Sequence, residues 1–110
     1  MLPKILMEQF HALFSQYPEV ERVFVYGSYA KGTNHAQSDI DLALTAPMLT
    51  DADFARLWYT VTYEMPGLIP IELARLDGAA DDFSQRVRQK GVVIYERRGA
   101  CEKSADEGAF

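Results

Sequence analysis

Apolar residues recur at helical spacing near the start of the chain. Leu2, Ile5, Leu6, Phe10, Leu13, Phe14 and Tyr17 fall to one side, and Glu8, Gln9 and Gln16 to the other. This predicts an amphipathic helix over 2–17, ended by Pro18. The stretch Val20 to Tyr26 is β-branched and aromatic and stops at Gly27-Ser28, so it predicts a strand feeding a tight turn. In Ser38 to Leu44 the apolar Ile40, Leu42 and Leu44 alternate with Asp39, Asp41 and Ala43, which predicts a second strand, closed by Pro47. Thr50 followed by Asp53 resembles a capping pair, and Phe54, Leu57, Trp58, Val61 and Met65 continue at helical spacing up to Pro66-Gly67. A third strand over 69–76 contains Glu72. A short helix from Asp81 to Lys90 stops at Gly91, and Val92 to Tyr95 supplies a fourth strand. Alternating helices and strands give an α/β (α+β) fold, a single domain over 1–98 with a small mixed sheet flanked by helices. The polar residues 99–110 lack periodicity and are expected to form a flexible tail.

Composition narrows the possible partners. The 110 residues, 48% of them apolar, suit one domain with an adequate core. Against 11 Lys+Arg stand 16 Asp+Glu, a net charge of −5, the wrong sign for a chain that holds nucleic acid through its phosphates, so no direct nucleic-acid binding is expected. No apolar run approaches the roughly 18 residues of a membrane span. The N-terminus lacks the apolar region of a secretory signal and the single Cys101 has no partner within the chain, so a cytoplasmic location is expected.

The acids are placed unusually. Asp39 and Asp41 are two residues apart on a predicted strand, so both side chains leave one face with Cα atoms ~6.5 Å apart. Acids on a strand are often only a solvated face. Here, however, two like charges sit among apolar residues, at a cost to stability that a cation would offset. Glu72 repeats the pattern inside the third predicted strand. Three carboxylates converging from neighbouring strands would make a hard-oxygen site for magnesium or manganese. Gly27 allows a sharp turn and close backbone approach, Ser28 adds a hydroxyl and Lys31 a positive charge, a set suited to phosphate.

Taken together, Gly27-Ser28, the ten residues Tyr29 to Ser38, and Asp39-Ile40-Asp41 resemble the signature of the DNA polymerase beta-like nucleotidyltransferase superfamily. The segment Gly-Ser-Tyr-Ala-Lys-Gly-Thr, Ser38 before the first Asp, and the closing Gly91 to Glu96 look like its minimal nucleotidyltransferases. The likeness covers roughly 20–96. It implies a two-metal (two Mg2+, with Mn2+ as an alternative) transfer of a nucleotidyl group, with Asp39, Asp41 and Glu72 as metal ligands and catalytic residues and Gly27, Ser28, Lys31 and Ser38 around the nucleotide. Two positions differ from the pattern: Glu72 stands where small relatives more often have Asp, and Tyr29 where many have Arg, which shifts the triphosphate onto Lys31 or a partner.

The resemblance also implies the partners. Minimal nucleotidyltransferases are encoded beside an all-helical HEPN protein, as a two-subunit enzyme or as antitoxin and toxin. The expected function is transfer of AMP from ATP, the favoured nucleoside triphosphate, to a hydroxyl on such a HEPN protein in a hetero-oligomer. Two other readings stay open: a non-catalytic module that neutralises or completes its partner by contact, and a transferase acting on a small molecule such as an antibiotic. Trp58 is read as a core residue and Tyr59 and Tyr63 as lying off the apolar stripe. His35 lies between Ser28 and Asp39, within reach of a nucleotide, and the basic residues Arg86, Arg88, Arg97 and Arg98 are read as surface charge balance.

Overall fold

A computed structural model describes residues 2–33, 39–65 and 69–97. Ser38, His35, Arg98, Cys101 and the predicted tail 99–110 lie outside the described residues. Four strands, β1 (Arg22–Tyr26), β2 (Ile40–Thr45), β3 (Ile71–Arg75) and β4 (Val92–Glu96), form one mixed sheet in the order β3-β2-β1-β4. β1 runs antiparallel to both β2 and β4, whereas β2 and β3 are parallel. A parallel pair needs a crossover, here the helix α3 (Asp51–Tyr59) and the π-helical turn Thr60–Glu64. The remaining helices are α1 (Lys4–Phe14), the one-turn α2 (Ser28–Lys31) and α4 (Asp81–Lys90). Among the described residues no helix is long and apolar enough to cross a membrane.

Alternation divides the sheet into two faces. Val23, Val25, Ile40, Leu42, Leu44, Ile71 and Leu73 point to one side, where they form the main core with Leu6, Phe10 and Phe14 of α1 and Leu57 and Val61 of the crossover. Burying each of these larger side chains contributes about 1.5–3 kcal/mol. The other face is covered only in part. There Phe24, Ala43, Leu76 and Val87 make a smaller cluster, joined by Tyr26, Ala74 and Phe83. α4 therefore packs on the face that also bears the acids, because Asp41 and Glu72 share the parity of Ala43 and Ala74.

The predicted elements are present, with shifted ends. The long first helix ends at Phe14 and the second strand begins at Ile40. Thr50 caps α3, its Oγ1 accepting from the Asp53 amide at 3.1 Å. Trp58, expected in the core, is instead 40% exposed. It follows the buried Leu57 and sits about 100° further round the helix, where it meets Tyr63 edge-on at 5.8 Å, outside the sheet contact.

Arg75 anchors the crossover, a role its sequence position does not announce. Its guanidinium donates to the carbonyls of Ala46 at 2.7 Å and Leu49 at 2.5 Å, and Asp77 accepts from the Ala46 amide at 2.6 Å. Asp77 and Asp51 carboxylates each lie 3.5 Å from the same guanidinium, whose side chain is mostly buried. Arg75→Ala leaves two carbonyls and a carboxylate without their donor, and is expected to cost about 2–4 kcal/mol in urea unfolding at pH 7.

Candidate functional site

Three side chains form a row across the sheet. Tyr26 of β1 pairs with Asp41 of β2, and Asp41 pairs with Glu72 of β3. Adjacent strands are ~4.8 Å apart, so the Asp41 and Glu72 carboxylates are immediate neighbours on one face. Glu72 is exposed and Asp41 half-buried, so this end of the face is open to solvent. Asp39, exposed and two residues before Asp41, enters the same field.

The electrostatics follow from this crowding. Partial burial raises the Asp41 carboxyl above the usual carboxylate range, and the Glu72 and Asp39 charges push it further. The Tyr26 hydroxyl is also raised, first by burial and then by the charges of Asp41 and Glu72. Among the described residues no three His, Cys, Asp or Glu side chains are already drawn into a metal cage. The structure thus brings the acids into one another's field without closing them on a point. Clustered carboxylates, with the charge of the central Asp41 disfavoured, are a donor set that fits a hard divalent cation.

Gly27 positions this row from the β1 side. Its backbone has φ +72° and ψ −148°, a region essentially restricted to glycine. A Cβ there would stand 2.5 Å from Asp41 Oδ2. The residue is therefore glycine for two reasons, backbone angle and contact with the central carboxylate. The expected tight turn is a single helical turn, in which the Gly32 and Thr33 amides both reach the Ser28 carbonyl and Gly32 takes the left-handed conformation. Ser28 is half-buried and Lys31 exposed. Tyr29 turns into the main core and is 7% exposed, so its ring packs under the site and does not stand where a triphosphate-holding side chain would be needed.

Known proteins share this fold. The family model "Polymerase beta, Nucleotidyltransferase" matches residues 8–99. The chain belongs to this nucleotidyltransferase family. None of the curated proteins matches it. Among solved structures, a chain of a toxin-antitoxin crystallised with AMP-PNP is 23% identical, with a TM-score of 0.69 over 92% of this chain and 82% of that one. A chain of the MntA-HepT toxin-antitoxin is 18% identical, with a TM-score of 0.66 over 96% and 82%. A chain of the complex between the tri-AMPylated Shewanella oneidensis HEPN toxin and its MNT antitoxin is 19% identical, with a TM-score of 0.65 over 94% and 81%. At these identities the likeness shows a shared fold.

Among the described residues, Gly27, Asp39, Asp41 and Glu72, all singled out in the sequence, come together at one end of the sheet face. Gly27 leaves the space that the Asp41 carboxylate occupies, Asp41 pairs with Glu72, and Asp39 adds its charge to theirs. Tyr26, which sequence reasoning passed over, belongs to the row as well. Its signal was available: it is the last residue of β1, directly before Gly27, with the same parity as Phe24. Lys31 lines a cleft with Tyr26 and Gly27 that α4 completes.

Proposed function

We propose that the chain is a metal-dependent nucleotidyltransferase that transfers AMP from ATP to a hydroxyl of an all-helical HEPN partner in a toxin-antitoxin pair. The observation that carries this reading is the lateral pairing of Asp41 with Glu72 directly beside the Gly27 backbone. Membership of the nucleotidyltransferase family and structural neighbours bearing AMP-PNP or an AMPylated HEPN toxin support it.

Asp39, Asp41 and Glu72 would hold two divalent cations, magnesium or manganese. Such ions, when bound, neutralise phosphate charge and ease deprotonation of the acceptor hydroxyl. The chain's own contribution is placement. Gly27 leaves room for the Asp41 carboxylate, Ser28 offers a hydroxyl to phosphate, and Glu72, the most open of the paired acids, is placed to take the acceptor proton. The acceptor oxygen bonds to the α-phosphorus as the bond from that phosphorus to the bridging oxygen breaks, and the electron pair leaves with pyrophosphate. Ser38 is expected to complete the nucleotide contacts.

The test is direct. With ATP, magnesium and a HEPN partner, the partner's intact mass should rise by one or more AMP units, and the modified residue should carry a hydroxyl. A stable complex whose partner gains no mass with any nucleoside triphosphate would instead establish binding without transfer.

A further inference from the structure

Two rows of side chains cross the partly covered face of the sheet, each starting from an aromatic residue of β1. Phe24 pairs with Ala43, and Ala43 with Ala74. Two residues further on, Tyr26 pairs with Asp41, and Asp41 with Glu72. The first row is small beyond its aromatic residue, which lets α4 settle on the sheet, and Val87 is buried there with Phe24, Ala43 and Leu76. One turn earlier on the same side of the helix, Phe83 meets Tyr26 edge-on, with ring centroids 5.5 Å apart and planes at 81°. The Cβ atoms of Tyr26 and Asp41, as directly opposed residues, are about 4.5–5.5 Å apart. The charges of Asp41 and Glu72 both reach the Tyr26 hydroxyl. The Tyr26 side chain therefore links α4 to the acids.

We infer that Tyr26 is a positioning residue for the acid site: its ring, braced by Phe83, limits the orientations open to the Asp41 carboxylate and keeps it available to a cation shared with Glu72 and Asp39. The inference rests on the metal-holding part of the proposed function and adds to it one residue and the helix behind that residue. The carboxylate leans toward the end of β1, since its Oδ2 lies 2.5 Å from the place a Cβ of residue 27 would take. On that flank it meets two consecutive residues of opposite size. Gly27 leaves room for one oxygen, and Tyr26 fills the position beside it. A ligand already held in one orientation loses less side-chain freedom when the metal arrives, and groups that hold it there set metal affinity although they never touch the ion. Filling space alone is the part of Phe24, which is buried and is opposed only by alanines along its row. Tyr26 is less buried and faces acids.

Mn2+ binding to the full chain, followed by electron paramagnetic resonance of the free ion with no nucleotide present, separates this role from packing. Tyr26→Leu should bind Mn2+ about tenfold more weakly than the unmodified chain. Phe83→Leu should show a smaller loss of the same kind, and Tyr26→Phe, which keeps the ring, should bind as the unmodified chain does. Phe24→Leu is the matched control, on the same face of β1, in the same cluster and more deeply buried. It should lose at least as much stability in urea as Tyr26→Leu, yet keep its Mn2+ affinity. Equal affinity in Tyr26→Leu and Phe24→Leu overturns the positioning role, as does a loss in Tyr26→Phe as large as that in Tyr26→Leu. Asp41→Asn tells the two readings apart. Binding that it abolishes but Tyr26→Leu leaves intact removes the role of Tyr26 alone. No Mn2+ binding by the unmodified chain, or binding that Asp41→Asn does not change, removes the metal-holding reading and the role of Tyr26 with it.

Discussion

Asp41→Asn should lower nucleotidyl transfer by at least about 10²- to 10³-fold while leaving the fold intact. Asp41 is the central acid of the row, paired laterally with Tyr26 and Glu72 and set beside Gly27, and in the proposed mechanism its carboxylate holds a cation that an amide would hold poorly. The stability effect has the opposite sign. In the metal-free protein burial and the Glu72 and Asp39 charges disfavour the Asp41 carboxylate, so the amide should melt no lower than the parent near neutral pH. Because the folded-state pKa is raised, the folded chain binds more protons than the unfolded one just above the ordinary carboxylate range. Stability there falls as pH rises through the raised value. The Asn variant should lose this slope and should no longer gain melting temperature from magnesium. A variant that transfers AMP at the parental rate would remove Asp41 from the mechanism.

Gly27→Ala is expected to damage both fold and activity, and Gly32→Ala provides the comparison. Both glycines have positive φ, +72° and +76°. Gly32, however, lies in the left-handed helical region, and a Cβ added there would meet nothing within 4 Å, so alanine should cost only about 1 kcal/mol. Gly27 has backbone angles that alanine does not adopt, and its Cβ would overlap Asp41 Oδ2. The structure must shift the turn or displace the carboxylate, at a cost of about 2–4 kcal/mol. Urea unfolding should separate the two variants by a kilocalorie or more. Transfer should be nearly lost in Gly27→Ala and largely kept in Gly32→Ala. Equal effects of the two substitutions would mean that contact with Asp41 is not what excludes a side chain at 27.

Much of this was legible in the residues. The alternation Ile40-Asp41-Leu42 predicts a strand with its acids on one face, and the same rule puts Glu72 between the buried Ile71 and Leu73. Tyr29 shows the limit. A local turn was expected after Gly27, and only a helical turn packed on the sheet explains why an aromatic ring is buried at that position. Trp58 shows it in the other direction: helical spacing groups it with Leu57, but which neighbour of a buried residue is covered depends on the width of the sheet beneath. Arg75 gave no local cue, since its carbonyl partners lie more than 25 residues away.

By itself the sequence determined the fold class, the order of the elements, and the spacing of Gly27, Ser28, Asp39 and Asp41, because these depend on periodicity and turn chemistry within a few residues. The tertiary structure decided which strands are neighbours. The parallel pairing of β2 with β3 is what sets Glu72 beside Asp41, and the packing of α4 on β1 is what brings Arg86 and Lys90 into one cleft with Gly27. Both depend on contacts between segments distant in the chain, whose register is fixed by burying the apolar face of each element, and no local pattern encodes that.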